Sequence, residues 1–386
     1  MPILNSVNQN YQDVAAWRRW MHERPETGFD LHETEAFIAA RLEEFGCDEI
    51  VRGIGRTGIV AIIRGRLGDG PIIGLRSDMD ALPVTELNTG PYISKHPGRM
   101  HACGHDGHAA MLLGAARYLS ETRNFAGAVA LVFQPAEEIG LGAKAMIEDG
   151  LIERFGISRF FGMHNMPGIP TGQFAIRSGP IMGSVGKFTL KIKGRGGHAA
   201  RPHTTIDPVI VCAQIVGALQ TLVARETDPI TSVVVTVTRV VAGTAYNIIP
   251  ETAEIWGTVR TLDMADAERV QRRISEICDG IALATGAEIG FEYLQAIATT
   301  NNDPVETAFA AQIARDVAGS VDEAVQPVLA GEDFSAMIEA RPGALIFIGN
   351  GDTAGLHHPA YDFDDEAIPA GVSYWVRLTE TALAPR

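Results

Sequence analysis

Five residues able to bind a metal or move a proton, His101, Cys103, His105, Asp106 and His108, fall within the eight-residue segment HACGHDGH. Imidazole, thiolate and carboxylate are the donor types that zinc and related divalent cations take. A single histidine before a helix is better explained as a cap or a hydrogen-bonded core residue, but this density reverses the balance. Cys103 also admits a reading as a nucleophile. An acidic pair, Glu137 and Glu138 in QPAEE, directly follows the apolar run AVALVFQ. Adjacent side chains point in different directions, so one carboxylate can ligate a metal while its neighbour takes a proton. That is the division of labour metal-assisted hydrolysis requires. Asp78 and Asp80 close another apolar run, where spacing two puts both on one strand face. One of them could orient a ligand histidine, or both could simply shape a turn. His164 follows the run FFGM, and His357 and His358 precede Pro359 after ALIFIGN.

Another histidine pair, His198 and His203, lies in GRGGHAARPH, whose glycines suggest an exposed loop open to a ligand. His198 is suited to stabilising an oxyanion. Asn247 and Arg260 follow in the same stretch of chain, and a guanidinium there could hold a substrate carboxylate or stay a surface arginine.

Elements that must position these residues are legible in the hydrophobic pattern. Two helices are expected over residues 9–46, the first with Val14, Trp17, Trp20 and Met21 on one face. TGIVAIIRG and PIIGLRSD read as strands, a helix is expected after HACGHDGH, and AVALVFQ and FFGMHN are further strands. Strands alternating with helices, with polar residues at strand ends, indicate an open α/β sheet whose site lies at that edge. From about Ser184 the pattern changes to β-α-β-β-α-β, the split βαβ arrangement, which ends near Thr299. A helix at about 304–318, the strand ALIFIGN and a helix from about Pro369 then resume the first pattern. The expected organisation is a larger domain, residues 1–184 and 300–386, interrupted by a smaller one, 185–299.

At 386 residues, the chain is long enough for two or three domains at ~150 residues each. Apolar residues at 46% and charged residues at 20% exclude a disordered or collagen-like chain. The net charge of −15 repels phosphate backbones, so no nucleic-acid partner is expected. No phosphate-binding glycine loop appears in a fitting context. The four cysteines are widely spaced and suit free thiols in a reducing compartment. The segment MPILNSVNQN lacks the pattern of a secretory signal, and no apolar run reaches the ~18 residues of a membrane span. A soluble, cytoplasmic protein is expected.

The segments RSDMDALPVTE, MHACGHDGHAAMLLGAARYL, FQPAEE, GMHN, GRGGHAARPH, YNIIP, GTVRT, GEDF and LHHPAYDFDDE resemble, in order and over nearly the whole chain, a family of metal-dependent amidohydrolases. That family includes hippurate hydrolases, N-acyl-amino-acid deacylases and plant auxin-conjugate hydrolases, within the larger aminoacylase and carboxypeptidase G group. The resemblance implies a dinuclear-metal catalytic domain with an open mixed sheet, and an inserted ferredoxin-like dimerisation domain. It implies two divalent ions per subunit (Zn, Mn, Co or Ni) held by Cys103, His105, Glu138, His164 and His357. Glu137 becomes the general base, and Asp80 joins the catalytic set. His198 becomes the transition-state-stabilising histidine, supplied by the small domain of the partner in a homodimer or dimer-based oligomer. Asn247 and Arg260 become substrate contacts. His358 adjoins His357, so two imidazoles compete for one ligand role. Gly186 stands where the resemblance leads one to expect an acidic residue. The implied activity is cleavage of a small N-acyl amino acid to a carboxylic acid and a free amino acid. An N-acetyl-amino-acid or N-acetyl-diaminopimelate deacetylase, a dipeptidase, an inactive metal-binding scaffold and a Cys103-dependent hydrolase are the alternatives.

Overall fold

The computed structural model describes Val7 and residues 11–385. The chain divides into two compact units. One comprises residues up to Ile181, Thr300–Gln326 and Asp333 onward, and the other comprises Met182–Thr299 and Pro327–Glu332.

The first unit opens with helices α1 (Tyr11–His22) and α2 (His32–Phe45). Residues 9 and 10 of the expected pair lie outside the described residues. The inner face of α1 includes the expected Val14, Trp17, Trp20 and Met21, all in or packed against the core, but it is wider than expected. Val14, Ala15, Arg18, Met21 and His22 are buried, whereas Trp17 and Trp20 are only half-buried. Trp20 also stacks on Phe37 of α2, with ring centroids 4.0 Å apart. Two polar residues therefore occupy core positions that a hydrophobic pattern assigns to solvent. Strands β1 (Glu49–Ile54), β2 (Gly58–Arg64) and β3 (Ile72–Asp78) follow, then helix α3 (His105–Thr122). Strands β4 (Ala128–Gln134), β5 (Ile157–Met166) and the short β6 (Phe174–Ala175) complete this stretch.

The second unit comprises β7 (Val185–Lys193), α4 (Pro208–Ala224), β8 (Val233–Ala242), β9 (Thr252–Thr261), α5 (Met264–Thr285) and β10 (Glu288–Ile297). Its sheet has the order β8-β9-β7-β10 with every pair antiparallel, the split βαβ arrangement read from the sequence. Asp207 and Asp263 cap α4 and α5 by accepting the backbone N–H groups of Val209 and Ala265. Alternate residues of β7, namely Phe188, Leu190 and Ile192, join Val211, Ile215 and Leu219 of α4 and Val270 and Ile274 of α5 in one apolar core. Gly186 has a local reason. A Cβ there would lie 2.0 Å from the Tyr293 hydroxyl on β10, so no larger side chain fits beside that tyrosine.

The chain then returns to the first unit with α6 (Pro304–Ala318), β11 (Val321–Asp322), β12 (Gly343–Gly349) and α7 (Ile368–Ala382). The eight strands of this unit lie in the order β1-β2-β4-β3-β5-β12-β6-β11. Strands β4, β3, β5 and β12 are neighbours and mutually parallel, while β1 and β2 run antiparallel to their partners, and β6 is antiparallel to β12 but parallel to β11. This is the open, mixed α/β sheet expected from the alternation. Its four parallel strands end on one edge, where ligand sites of such sheets form. Among the described residues no helix is long and apolar enough to cross a membrane.

Candidate active site

Gly104 sets the geometry at that edge. Its φ is +80°, and a Cβ on it would meet Asn165 Nδ2 and Tyr361 Oη, each at 2.4 Å. Only glycine satisfies both constraints. The turn starts α3 at His105, inside the HACGHDGH cluster rather than after it, which corrects the sequence-based boundary. His105, Asp106 and His108 thus occupy the buried opening turn of α3.

The tautomers of two imidazoles follow from their partners. His105 Nδ1 lies 2.8 Å from the Asp80 carbonyl, and His164 Nδ1 lies 2.7 Å from the Asn165 carbonyl. A carbonyl only accepts, so each Nδ1 carries a proton, and in the neutral ring Nε2 is a lone pair. His164 Nε2 lies 3.5 Å from Cys103 Sγ. His105 Nε2 is buried with no hydrogen-bond partner, and so is Glu138 Oε1. A carbonyl-held Nδ1–H with Nε2 directed at the cluster is the form in which histidine ligates a metal. Donor atoms of Cys103, His105 and His164 lie within 4.8 Å of one another, as do those of Cys103, Glu138 and His357, and those of His105, Glu137 and Glu138. Orphaned buried acceptors in overlapping triads fit divalent cations.

The electrostatics agree with that fit. Burial, reinforced by Asp80 and Asp78, lifts the Glu138 carboxyl to about 7 although His105 opposes the shift. Burial and Glu138 push the Cys103 thiol well above its ordinary range. A nucleophilic cysteine needs the opposite surroundings, electropositive and thiolate-stabilising. A cation would relieve the crowded negative charge and displace the thiol proton.

Structure also separates neighbours that the sequence left equivalent. Both imidazoles are exposed, but His357 Nε2 lies 3.4 Å from Glu138 Oε2, whereas His358 Nδ1 accepts the Ala360 N–H at 3.0 Å. His108 donates from Nδ1 to Asp78 Oδ1 at 2.6 Å and accepts the Asn165 N–H on Nε2 at 2.8 Å, so both its nitrogens are used. Asp78 and Asp80 do not share a strand face, because β3 stops at Asp78. Asp78 turns toward His108 and the Arg76 guanidinium, 3.0 Å away. The Asp80 carboxylate instead accepts the backbone N–H groups of Glu137 and Glu138, at 3.0 and 3.2 Å. Asp106 faces Arg18 and His22 rather than the ligands. His101 is 1% exposed, neither of its ring nitrogens has a partner, and burial lowers its pKa to about 3, so it stays neutral.

Asp78 entered the sequence reading as a strand-end acid that could orient a ligand histidine or shape a turn, and His108 only as part of the cluster. Arg18 and His22 were missed altogether, and Arg76 entered only within the segment RSDMDALPVTE, with no role. Their signal was a charged residue at a core-facing position: Arg76 lies inside β3, where every flanking residue is buried.

His198, Asn247 and Arg260 belong to the second unit. His198 is exposed and faces Ile248 across a two-residue antiparallel ladder, and the Asn247 carbonyl accepts the Ala199 N–H at 3.1 Å. His198 Nδ1 accepts the Ala200 N–H at 3.0 Å, which leaves the ring proton on Nε2 as a donor. Arg260 is half-buried on β9, and burial lowers its pKa.

Residues 74–381 match the model of peptidase family M20/M25/M40. The chain is 39% identical over 367 residues to an N-acetylcysteine deacetylase of Bacillus subtilis, covering 95% of this chain and 96% of that protein. It is 40% identical over 363 residues to a hippurate hydrolase of Campylobacter jejuni, covering 94% of each. The crystal structure of the Bacillus subtilis YXEP protein, described as a dinuclear metal binding peptidase from the M20 family, superposes with a TM-score of 0.86 at 36% identity, covering 97% of this chain and 99% of that one. The chain belongs to peptidase family M20/M25/M40.

Proposed function

We propose that the protein is a metal-dependent amidohydrolase that cleaves an N-acyl amino acid into a carboxylic acid and a free amino acid. The observation that carries this reading is the convergence of Cys103, His105, Glu138, His164 and His357 around orphaned buried acceptors, with Glu137 beside them. These five residues would hold two divalent cations, with Cys103 common to both triads. When bound, the cations supply Lewis-acid polarisation of the amide carbonyl and lower the pKa of water. Glu137 takes the proton of the attacking water and returns it to the leaving amine. Asp80 holds the backbone of Glu137 and so aims its carboxylate. His198 donates from Nε2 to the developing oxyanion. Asn247 and Arg260 bind the substrate, the guanidinium taking its carboxylate.

Benzoyl-amino acids are the leading substrates, and N-acetyl-amino acids the second reading. Relatives named for each are equally similar to this chain, at 40% and 39% identity. Four unpaired cysteines support a cytoplasmic location. The second unit is proposed as the dimerisation domain. Its edge strand β8 carries the exposed Val234, Val240 and Val241, and a second copy pairing along that edge would cover them. Removal of metal by a chelator should abolish hydrolysis of a panel of benzoyl- and acetyl-amino acids, and added Zn, Mn, Co or Ni should restore it. Full turnover by protein shown metal-free by elemental analysis refutes the proposal.

A further inference from the structure

Behind the HACGHDGH turn lies a second set of buried charges that the proposed chemistry does not use. Arg18 is fully buried on α1. Its Nε donates to Asp365 Oδ1 at 2.8 Å, and its terminal NH1 lies 3.5 Å from Asp106 Oδ2 and 3.8 Å from Asp362 Oδ1. The guanidinium also sits over the Tyr92 ring, 4.5 Å from its centroid. His22, one turn further along α1, bridges Asp106 Oδ2 at 2.8 Å and Glu86 Oε1 at 3.2 Å. Asp106 immediately follows the ligand candidate His105. Asp362 and Asp365 lie on the segment that follows His357, where Tyr361 donates its hydroxyl to Asn165, next to His164. One guanidinium thus ties together two chain segments, far apart in sequence, that carry His105 and His357.

Stability alone is a poor reason for such a network. Desolvating a guanidinium, an imidazole and several carboxylates costs about as much as their attraction returns, and apolar residues of similar volume would serve a core equally well. What a multivalent charged group supplies is fixed geometry, since its hydrogen bonds set both distance and direction. We propose that Arg18 and His22 are positioning residues of the metal site, which hold the segments bearing His105 and His357 at the separation that two cations require. This inference rests on the metal-site reading above.

The test uses Co²⁺ alone as the probe on full-length, metal-stripped protein, because its visible absorption reports ligand geometry without turnover. Arg18→Met should weaken Co²⁺ binding by roughly 10–100-fold, the range found when residues that orient ligands are lost. It should also alter the Co²⁺ spectrum, and Arg18→Lys should recover part of both. Arg117→Met, which breaks surface pairs with Asp13 and Glu121, should change neither. If Arg18→Met does not fold, His22→Gln and Asp365→Asn carry the same measurement. A folded variant with a lowered melting temperature but wild-type Co²⁺ affinity and spectrum overturns the proposal and leaves the network merely structural. Failure of the wild-type protein itself to bind Co²⁺ overturns the metal-site reading, and this inference with it.

Discussion

Backbone strain is present where the chemistry would be. Only four described residues other than glycine have positive φ, and two of them are His357, at 65°, and Ala136, at 54°, directly before Glu137. Each such residue costs on the order of 1 kcal/mol and persists only when its surroundings fix it. His357 is fixed by its N–H bond to the Ala102 carbonyl at 2.8 Å, and the Glu137–Glu138 backbone by Asp80. The paired glutamates make opposite predictions. Glu137→Gln should retain bound metal and lose roughly 10²–10⁴-fold in kcat, because the proton shuttle is gone. Glu138→Gln should lose metal as well, because a buried ligand oxygen is replaced. Elemental analysis alongside steady-state kinetics decides this, and equal metal loss in both variants would show that the roles are misassigned.

At the scale of elements, the ends of parallel strands act as brackets. Strand β3 brings Asp78 and the following Asp80 beside the turn that follows β4, and Asp80 grips that turn through two backbone N–H groups. Asp80→Asn replaces one acceptor oxygen with a donor that faces an N–H. It should therefore lower kcat at saturating metal by roughly 10–100-fold while the far-ultraviolet circular dichroism stays unchanged. Unchanged kcat would mean that the turn holds itself. The contact between α1 and α3 makes a separate prediction about pH. Burial opposes the charge on His22, but Asp106 and Glu86 outweigh it and lift its pKa from 6.5 to about 9. A raised histidine pKa stabilises the fold fully below 6.5, and the contribution is lost as pH rises through about 9. The midpoint of urea unfolding should fall across that window, by up to about 3 kcal/mol in stability. His22→Gln should remove that dependence on pH.

At the scale of the whole molecule, two units with separate cores carry separate parts of the proposed machinery: the ligands and Glu137 in one, His198, Asn247 and Arg260 in the other. If the second copy supplies His198, as the proposed dimer requires, His198→Ala and Glu137→Gln proteins should each be nearly inactive yet metal-loaded. Subunit exchange between them should create one intact site in each mixed dimer. With random pairing about half the dimers are mixed, so about a quarter of wild-type activity should return. No recovery after verified exchange would place His198 in its own chain's chemistry or outside the reaction.

Much of this was legible in the sequence because it rests on local rules. Hydrophobic patterning marked β2, β3, β4, β5 and β12 of the larger sheet, the four strands of the smaller one and the long helices, and the changed order of elements after about Ser184 suggested the insertion. The exposed edge strand β1 and the two-residue strands β6 and β11 carry too little apolar pattern to be read. The density of HACGHDGH and the acids and histidines at strand ends pointed to a metal site at one sheet edge. Tertiary structure alone decided which atoms face the cluster. The sequence treats His357 and His358 as equals, yet backbone direction at one positive-φ residue brings only the first to Glu138. It treats His105 and His108 alike, yet Asp78 and Asn165 occupy both nitrogens of the second. Spacing two suggested a common role for Asp78 and Asp80, but the strand ends between them and the rule no longer applies. Arg18 and His22 were illegible because burial of a charge depends on partners 84 and 347 residues away, and no local pattern encodes contacts at that distance.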